Sequence, residues 1–278
     1  MTFETIRYEV TDAVATVTLA RPARANALNA LMLEEINLAM DRAEADEAVR
    51  VVVVTGAGAA FSSGFDLKEQ MERRPTGFDQ WRAVLRKDFD AVMRFWHCPK
   101  PTLAAVRGPC LAGAFELMLA CDMTIASDTA FFGEPELKFG AGIVVMLLPW
   151  LVGPKIAKEI IFLGQDRIPA ARARELGIVN RVVADDALEA ETATIARHLA
   201  TLDPSLLKLT KRAINRTLER QGLLDALEAA LAIDLDIEGP GSHDKIAFME
   251  VARTEGLKAA LAWRDRRYDE RLAESGRG

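Results

Sequence analysis

Up to about residue 186, short apolar runs of strand-like period alternate with longer runs of helical period. IRYEV and AVATVTLA predict two strands joined by a hairpin at Thr11-Asp12. Asn29 is a suitable N-cap for a helix with apolar residues at helical spacing, namely Met32, Ile36, Ala39, Met40 and Ala43. Residues 49–56, VRVVVVTG, hold too many consecutive valines for a half-exposed strand, so this strand should be covered on both faces.

A second helix before Pro99 is predicted by periodic apolar residues, namely Trp81, Leu85, Phe89, Met93 and Trp96. TLAAV and MTIAS predict further buried strands, and the order of strands and helices repeats as β-β-α units up to IVNRVV. From about Ala187 onward the apolar spacing is helical, with no strand-like run. The pattern predicts an α/β core over residues 1–186 and a helical C-terminal region over residues 187–278.

Composition and charge exclude several classes of protein. A chain of 278 residues that is 50% hydrophobic and 27% charged can bury a large core in one or two domains. A net charge of −6 and a pI near 5.3 argue against a nucleic-acid partner. The longest uncharged run, residues 139–154, is shorter than the roughly 18 residues of a membrane span and contains Pro149. With Glu4 and Glu9 in place of a signal peptide's apolar segment, we expect a cytoplasmic protein without a membrane partner.

The cysteines and histidines show no ligand or disulfide spacing. The cysteines are odd in number and lie in apolar surroundings: Cys98, Cys110 and Cys121. They are interpreted as buried thiols of a reducing compartment. The histidines are scattered along the chain: His97, His198 and His243. We therefore expect neither a metal site nor a Ser-His-Asp triad.

Glu116 is conspicuous in PCLAGAFELMLACD, residues 109–122, because its neighbours there are small or apolar. On a helix that begins near Gly113, the positions one turn away are Ala112, Gly113, Leu119 and Ala120. An ionised carboxylate removed from water costs several kcal/mol unless it is compensated. The ordinary interpretation, a Glu on a solvated helix face, fits this setting poorly. Glu116 is therefore a candidate functional residue.

Two glycine turns, FSSGFDL and LAGAFEL, each follow a buried strand. In such turns, backbone N–H groups can converge on a bound oxygen and form an oxyanion hole. Each turn taken alone is also typical of an ordinary glycine turn. VVVVTGAG resembles the start of a dinucleotide-binding fingerprint, but Phe61 occupies the third glycine position and no amphipathic helix follows at once.

Together, six collinear motifs resemble the crotonase (enoyl-CoA hydratase/isomerase) superfamily over nearly the whole chain. They are ARPARANALN, AAFSSGFDLKE, KPTLAAVRGPCLAGAFELMLACDMTIAS, TAFFGEPEL, RIPAARARELGIVNRVV and EGLKAALAWRDRRY. The resemblance implies an α/β, crotonase-like spiral of β-β-α units with a helical C-terminal trimerisation region. It also implies an acyl-CoA thioester as substrate, no metal, and no cofactor other than the coenzyme A of the substrate.

The resemblance also implies roles for individual residues. The oxyanion-hole N–H groups fall on Phe65 and Gly113. Glu116 and Glu136 match the two glutamates with which the family's hydratases hold a water molecule. Glu116 would take the proton of the water and Glu136 would deliver one to the α-carbon. Glu134 should point away from this pair, since side chains alternate along an extended segment.

The coenzyme A contacts are likewise implied by resemblance. At the nucleotide end they would be Arg24, Ala25 and Leu28. Along the binding groove they would be Ser62, Gly64, Asp66 and Leu67. From the C-terminal helix an aromatic residue would approach the coenzyme, and Tyr268 occupies that position.

One segment departs from the family pattern. Typical hydratases carry PGAGGT after the second glutamate, whereas this chain reads LKFGAGIVVMLLPWLVG. Val144 and its neighbours are bulkier than the small residues that flank the acyl pocket elsewhere, and Phe65 and Phe115 are bulky in the same way. The departure could adapt the pocket to a particular acyl group or weaken the positioning of the water.

Three functions stay open on the sequence. The first is an enoyl-CoA hydratase, because both glutamates are present. The second is another crotonase-type reaction, such as enoyl-CoA isomerisation or thioester/C–C hydrolysis. The third is a non-catalytic acyl-CoA- or RNA-binding relative, against which the acidic pI and the complete glutamate pair argue.

Apolar residues of the C-terminal helices predict an assembly. Six of them exceed what a peripheral helical unit could hide within one chain: Leu223, Leu224, Leu227, Leu231, Ile233 and Leu235. We expect them to be buried between subunits of a homotrimer or hexamer.

Overall fold

A six-stranded sheet and a smaller three-stranded sheet organise the chain. The computed structural model describes residues 2–275. Its strands are β1 (Ile6–Thr11), β2 (Val14–Leu19), β3 (Val51–Gly56), β4 (Thr102–Val106), β5 (Pro109–Leu111), β6 (Met123–Ser127), β7 (Phe131–Gly133), β8 (Ile168–Pro169) and β9 (Arg181–Val183). The large sheet has the order β1-β2-β3-β4-β6-β9 and the small one the order β5-β7-β8. In the large sheet β1 and β2 are antiparallel, and the later neighbours are parallel.

The helices of the core alternate with these strands. They are α1 (Ala30–Ala45), α2 (Leu67–Arg73), α3 (Gly77–His97), α4 (Gly113–Ala120), α5 (Leu148–Val152), α6 (Pro154–Phe162) and α7 (Ala170–Glu175). Short 3-10 helices lie at Pro22–Arg24, Glu136–Phe139 and Asp185–Ala187. This mixed arrangement confirms the predicted α/β class.

Local predictions from the sequence are confirmed at three places. The β1–β2 hairpin turns at Asp12 and Ala13, which both have positive φ, 51° and 62°. Asn29 caps α1, and its side chain accepts a hydrogen bond from the N–H of Met32 at 3.1 Å. β3 is covered on both faces, because alternate valines enter two different hydrophobic cores on the two sides of the sheet.

The region after residue 187 is helical throughout its described part, and residues 276–278 of the predicted region lie outside it. The helices are α8 (Leu188–Ala200), α9 (Pro204–Arg220), α10 (Leu223–Glu238), α11 (His243–Glu255) and α12 (Leu257–Ser275). α8 covers the second face of the large sheet, where Leu188 and Ile195 pack against Val51 and Val53. The helices therefore belong to the same packed body as the sheet, and the boundary at 186/187 stays a prediction.

The expected burial of α10 between subunits is wrong for most of its residues. Leu223, Leu227 and Leu231 are buried within the chain itself, because α10 packs on α3 and joins the main core. Leu224 and Leu235 are partly buried against the same core. Of the six residues that the sequence placed between subunits, Ile233 is the exposed one, at 62%.

α9 has an apolar face without cover. None of its residues is buried, and it exposes Leu206, Leu209 and Ile214 at 59–64%. Among the described residues, no helix combines the length and apolar character that crossing a bilayer demands. The three cysteines are free thiols; Cys98 and Cys110 are buried as the sequence predicts, whereas Cys121 is only half-buried.

Candidate active site

A cavity of about 510 Å³ lies where α2, α3, α4, α10, α11 and α12 meet the 3-10 helix Glu136–Phe139. Its wall includes Glu116 and Glu136, the two carboxylates singled out in the sequence, and also Phe65 and Ala112. A cavity of this size with a few convergent polar groups is typical of a small-molecule site.

Glu116 lies in the first turn of α4, whose eight residues are all buried. Its side chain is 1% exposed. The carboxylate accepts one hydrogen bond from the N–H of Val145 at 2.8 Å and a longer one from the N–H of Val144 at 3.3 Å. The apolar face predicted from the sequence is therefore present, but a second segment of backbone partly compensates the carboxylate.

Glu134 joins the pair, and the prediction that it points away is wrong. Carboxylate oxygens of Glu116, Glu134 and Glu136 lie within 4.8 Å of one another, and all three residues are buried. Alternation fails because β7 ends at Gly133 and a 3-10 helix starts at Glu136, so the intervening residues are not extended as a strand. The turn at Pro135 brings both glutamates to one side.

Burial raises the pKa of all three carboxyl groups, because the charged form loses its hydration. The pKa of Glu136 is raised to about 7, and a hydrogen bond from Glu134 opposes the effect of burial. The pKa of Glu134 is raised well above its usual range by burial and then by the charge of Glu136. For Glu116 the pKa is also raised by burial and by Glu136, while the N–H groups of Val144 and Val145 oppose the shift.

The three glutamates thus form a cluster that holds protons at neutral pH. Glu134 is the best place for a proton, since no backbone N–H donates to it and its Oε2 atom is buried without a partner among the described residues. Three carboxylates at this separation could also chelate a divalent cation. Burial favours protons over a cation here, and both oxygens of Glu116 already accept N–H groups.

Two backbone N–H groups near this cluster have no acceptor within residues 2–275: those of Phe65 and Gly113. The two residues are in contact, because the Phe65 ring packs on Gly113 so tightly that a Cβ there would collide with it. Gly113 is the first residue of α4, where a helix leaves its N–H groups unpaired. Fixed donors of this kind suit an oxyanion.

Ala112, just before Gly113, has an unusual backbone conformation for an alanine, with φ 57° and ψ −138°. Hydrogen bonds hold it there: its N–H donates to the carbonyl of Gly133 at 2.9 Å, and its carbonyl accepts from Phe115 and Glu116. Strained backbone persists where the surrounding structure fixes it, and such positions cluster at functional sites.

Four of the predicted coenzyme A contacts line the cavity: Arg24, Ala25, Asp66 and Leu67. Arg24 is exposed at the end of the 3-10 helix Pro22–Arg24, so its charge is available at the rim. Asp66 caps α2 by accepting from the N–H groups of Lys68 and Glu69, and it also forms an ion pair with Arg21 at 2.8 Å. The carboxylate of Asp66 therefore stabilises the start of α2 and also forms part of the cavity wall.

The other four predicted contacts lie off the described wall of the cavity. Leu28 belongs to the main core, and its N–H donates to the carbonyl of Gly64 at 2.9 Å. Ser62 is fully buried and accepts from the N–H of Gly64 at 3.2 Å. Gly64 itself has φ +92° and presses against Ala112. These residues shape the turn that presents Phe65 rather than face the cavity.

Tyr268 lies in a separate, smaller pocket of about 210 Å³ beside Lys138 and Arg267. Its hydroxyl donates to the carbonyl of Leu163 at 3.0 Å, and the Nζ atom of Lys138 lies 5.1 Å from its ring centre. The side chain is thus engaged between α6 and the 3-10 helix Glu136–Phe139.

Sequence reasoning missed seven charged residues on the wall: Lys68, Asp88, Asp166, Asp234, Glu238, Lys245 and Arg264. A signal for two of them was available. The buried stripe of α10 runs through Leu223, Leu227 and Leu231 and continues at helical spacing into Asp234 and Glu238. Acidic residues in the apolar stripe of a helix indicate a site in the same way as Glu116 does.

Comparison with solved structures identifies the fold. The crystal structure of an enoyl-CoA hydratase/isomerase from Xanthobacter autotrophicus Py2 matches with a TM-score of 0.95 and 71% identity, covering 96% of this chain and 99% of that one. The crystal structure of an enoyl-CoA hydratase from Mycobacterium smegmatis matches with a TM-score of 0.87 and 28% identity, covering 95% and 94%. The architecture is that of the crotonase superfamily.

Sequence comparison gives the family. The model of the enoyl-CoA hydratase/isomerase family matches residues 9–247. A short-chain-enoyl-CoA hydratase from Clostridium acetobutylicum is 35% identical over 257 residues, which span 88% of this chain and 94% of the relative. The chain belongs to the enoyl-CoA hydratase/isomerase family.

Proposed function

We propose that this chain is an enoyl-CoA hydratase, a hydro-lyase that adds water across the 2,3 double bond of an enoyl-CoA thioester. The observation that carries the proposal is the placement of buried Glu116 and Glu136 with oxygens within 4.8 Å, in a cavity whose wall also includes Phe65 and Ala112. The family assignment and the hydratase names of its relatives support it.

In the proposed mechanism, the N–H groups of Phe65 and Gly113 donate to the thioester oxygen and stabilise the negative charge of the enolate. A water molecule lies between Glu116 and Glu136. Glu116, as carboxylate, accepts a proton from the water while the water oxygen bonds to the β-carbon. Glu136, as carboxylic acid, then transfers its proton to the α-carbon, and the C=C double bond becomes a single bond.

Burial raises the pKa of both carboxyl groups, that of Glu116 well above its usual range, so the proposed roles require the proton to lie on Glu136 once the substrate is bound. The N–H groups of Val144 and Val145 stabilise the carboxylate of Glu116, while the hydrogen bond from Glu134 and the backbone N–H of Glu136 itself lower the pKa of Glu136. A pKa of about 7 leaves Glu136 protonated in a large fraction of molecules at neutral pH.

The direct test is to mix the protein with crotonyl-CoA and follow the loss of the conjugated thioester absorbance. We expect loss of the absorbance and formation of the 3-hydroxyacyl thioester by mass spectrometry. A 3-enoyl-CoA thioester tested in parallel separates the isomerase alternative. Turnover of the 3-enoyl thioester with no hydration of crotonyl-CoA would contradict the proposed function.

The proposal also covers cofactors, oligomeric state and location in the cell. The reaction needs no metal and no cofactor, since coenzyme A is part of the acyl-CoA substrate. We propose a homotrimer or hexamer in which α9 is covered by a second subunit, because its exposed leucines and isoleucine have no cover within the described chain. We propose a cytoplasmic location, in line with the free thiols.

A further inference from the structure

One part of the cavity wall, next to the glutamate cluster, is also polar. It includes Asp88 from α3, Asp234 and Glu238 from α10 and Lys245 from α11, next to Trp81 and Leu85. All four ionisable residues are at most 7% exposed. A pocket for a plain alkyl chain has no use for buried ionisable groups, because each costs free energy when it is desolvated without a partner.

Two of these groups compensate each other. Lys245 forms an ion pair with Glu238, and its Nζ atom lies 4.2 Å from the ring centre of Trp81. Glu238 also accepts a hydrogen bond from the N–H of Gly142 at 3.2 Å. The charges of Lys245 and Glu238 therefore neutralise each other, and both groups already have partners within the protein.

Asp234 has no such partner. Its side chain is 2% exposed, and neither carboxylate oxygen has a hydrogen-bond partner among the described residues. Gly142 makes room for it, because a Cβ at that position would collide with the Oδ1 atom of Asp234. Burial and the nearby charges of Glu238 and Glu136 together raise the pKa of Asp234 to about 7, against the opposing charge of Lys245.

An unpartnered carboxyl on a cavity wall is free to form a hydrogen bond with a bound ligand. We propose that the cavity binds an enoyl group that carries a hydroxyl group, and that this hydroxyl donates a hydrogen bond to Asp234. The inference rests on the proposed function, because it names the class of acyl group that the same site accepts.

Other end groups fit this wall less well. A carboxylate would be repelled by Asp234, Asp88 and Glu238, and Lys245, the cation next to them, is already paired. An ammonium group would lie beside Lys245, whose charge already acts on Asp234. A methyl group would leave Asp234 without a partner. A neutral hydroxyl satisfies the carboxyl in either protonation state, since it can donate to one form and accept from the other.

The test uses pairs of trans-2-enoyl-CoA thioesters of equal chain length, one ending in a methyl group and one in a hydroxyl group. The chain length that gives the highest kcat/KM for a hydroxyl-ended thioester is used for the comparison. At that length we expect kcat/KM of the intact protein to be at least about tenfold higher for the hydroxyl-ended thioester than for the methyl-ended one. In Asp234→Leu this ratio should fall to about one or below. Asp234→Asn, which keeps an acceptor, should retain part of the preference. Asp236→Leu, an exposed site on the same helix, is the matched control and should keep the ratio of the wild type.

Affinities for the saturated thioesters, measured by calorimetry, separate this inference from the proposed function. Tighter binding of the hydroxyl-ended thioester, lost in Asp234→Leu, supports the inference even if no thioester is hydrated, and only the hydratase proposal then fails. Equal kcat/KM and equal affinity for the two end groups across the series overturn the inference while hydration continues. A preference that survives in Asp234→Leu also overturns it.

Discussion

Glu116 accepts a hydrogen bond from the backbone N–H of Val145 at 2.8 Å. This bond joins the helix of the candidate base to the segment that departs most from the family pattern. The bulky residues after Glu136 therefore do not leave the carboxylate without support, because their backbone supplies two donors to it. The side chains of this segment are bulky and apolar, but its backbone N–H groups still bind the carboxylate of Glu116.

The two glutamates of the proposed mechanism should be individually required. Glu116→Gln and Glu136→Gln should each lower kcat by at least about a hundredfold, because general acid and base groups contribute about 10² to 10⁴. Both amides are close in shape to the acids, so affinity for a saturated acyl-CoA should persist. Stopped-flow or steady-state absorbance with crotonyl-CoA measures the first effect and calorimetry the second. A variant that hydrates at the wild-type rate would remove that residue from the mechanism.

Glu134 should control the pH dependence. Glu136 must be protonated to deliver its proton, so kcat should fall as the pH rises through about 7. The hydrogen bond from Glu134 lowers the pKa of Glu136. Glu134→Leu removes this donor, so the alkaline limb of the profile should move to higher pH.

Glu134→Gln is the matched control for that shift, because its amide can still donate to Glu136. Its alkaline limb should stay close to that of the wild type. A limb that moves equally in both variants, or in neither, would show that the hydrogen bond does not set the pKa of the acid. The apparent pKa read from such a profile belongs to the cluster of three carboxyls.

The stability of Glu116→Leu separates two interpretations of its burial. From the sequence alone, removal of a buried and uncompensated charge should leave the melting temperature unchanged or raise it. The structure reverses this expectation, since Leu would leave the buried N–H groups of Val144 and Val145 without an acceptor. An unpaired buried group costs about 1 to 3 kcal/mol.

We therefore expect Glu116→Leu to melt a few degrees below the wild type, given about 2–4 °C per kcal/mol for a chain of this size. Glu116→Gln keeps a carbonyl acceptor and should lose less. Calorimetric scans without ligand measure both. A melting temperature at or above that of the wild type for Glu116→Leu would restore the interpretation from the sequence.

The proposed assembly depends on α9. Leu206→Glu together with Leu209→Glu places charges on its exposed apolar face and should lower the mass found by light scattering from a trimer or hexamer toward a monomer. Leu38→Glu, at a 44% exposed position of α1, is the control and should leave the mass unchanged. A wild-type chain that is monomeric at micromolar concentration would contradict the proposal.

Much of the architecture is predictable because it depends on local signals. The spacing of apolar residues predicts the burial of β3 and of the helix before Pro99. The residue type at Asn29 predicts the start of α1. The fate of Leu223 and Leu227 is different. Apolar spacing shows that a helix has a face to bury, but the same spacing fits a second subunit and helix α3 of the same chain.

The residues of the site also fall into those that the sequence predicts and those that only the folded structure shows. Glu116 stands out because its neighbours on the helix are known from the sequence. The approach of Glu134 depends on where a strand ends and a 3-10 helix begins, a boundary that alternation cannot locate. Asp234 faces the cavity through contacts between residues far apart in the chain, such as Gly142, so only the packed fold brings them together.

The cavity also depends on α12, because Leu257, Leu261 and Arg264 form part of its wall. A chain still being synthesised can pair its strands and bury both faces of the large sheet before this helix exists. It cannot enclose a thioester until the last helix has folded against Glu136. A proteolytic cut before residue 257 would therefore remove part of the cavity wall and none of the strands.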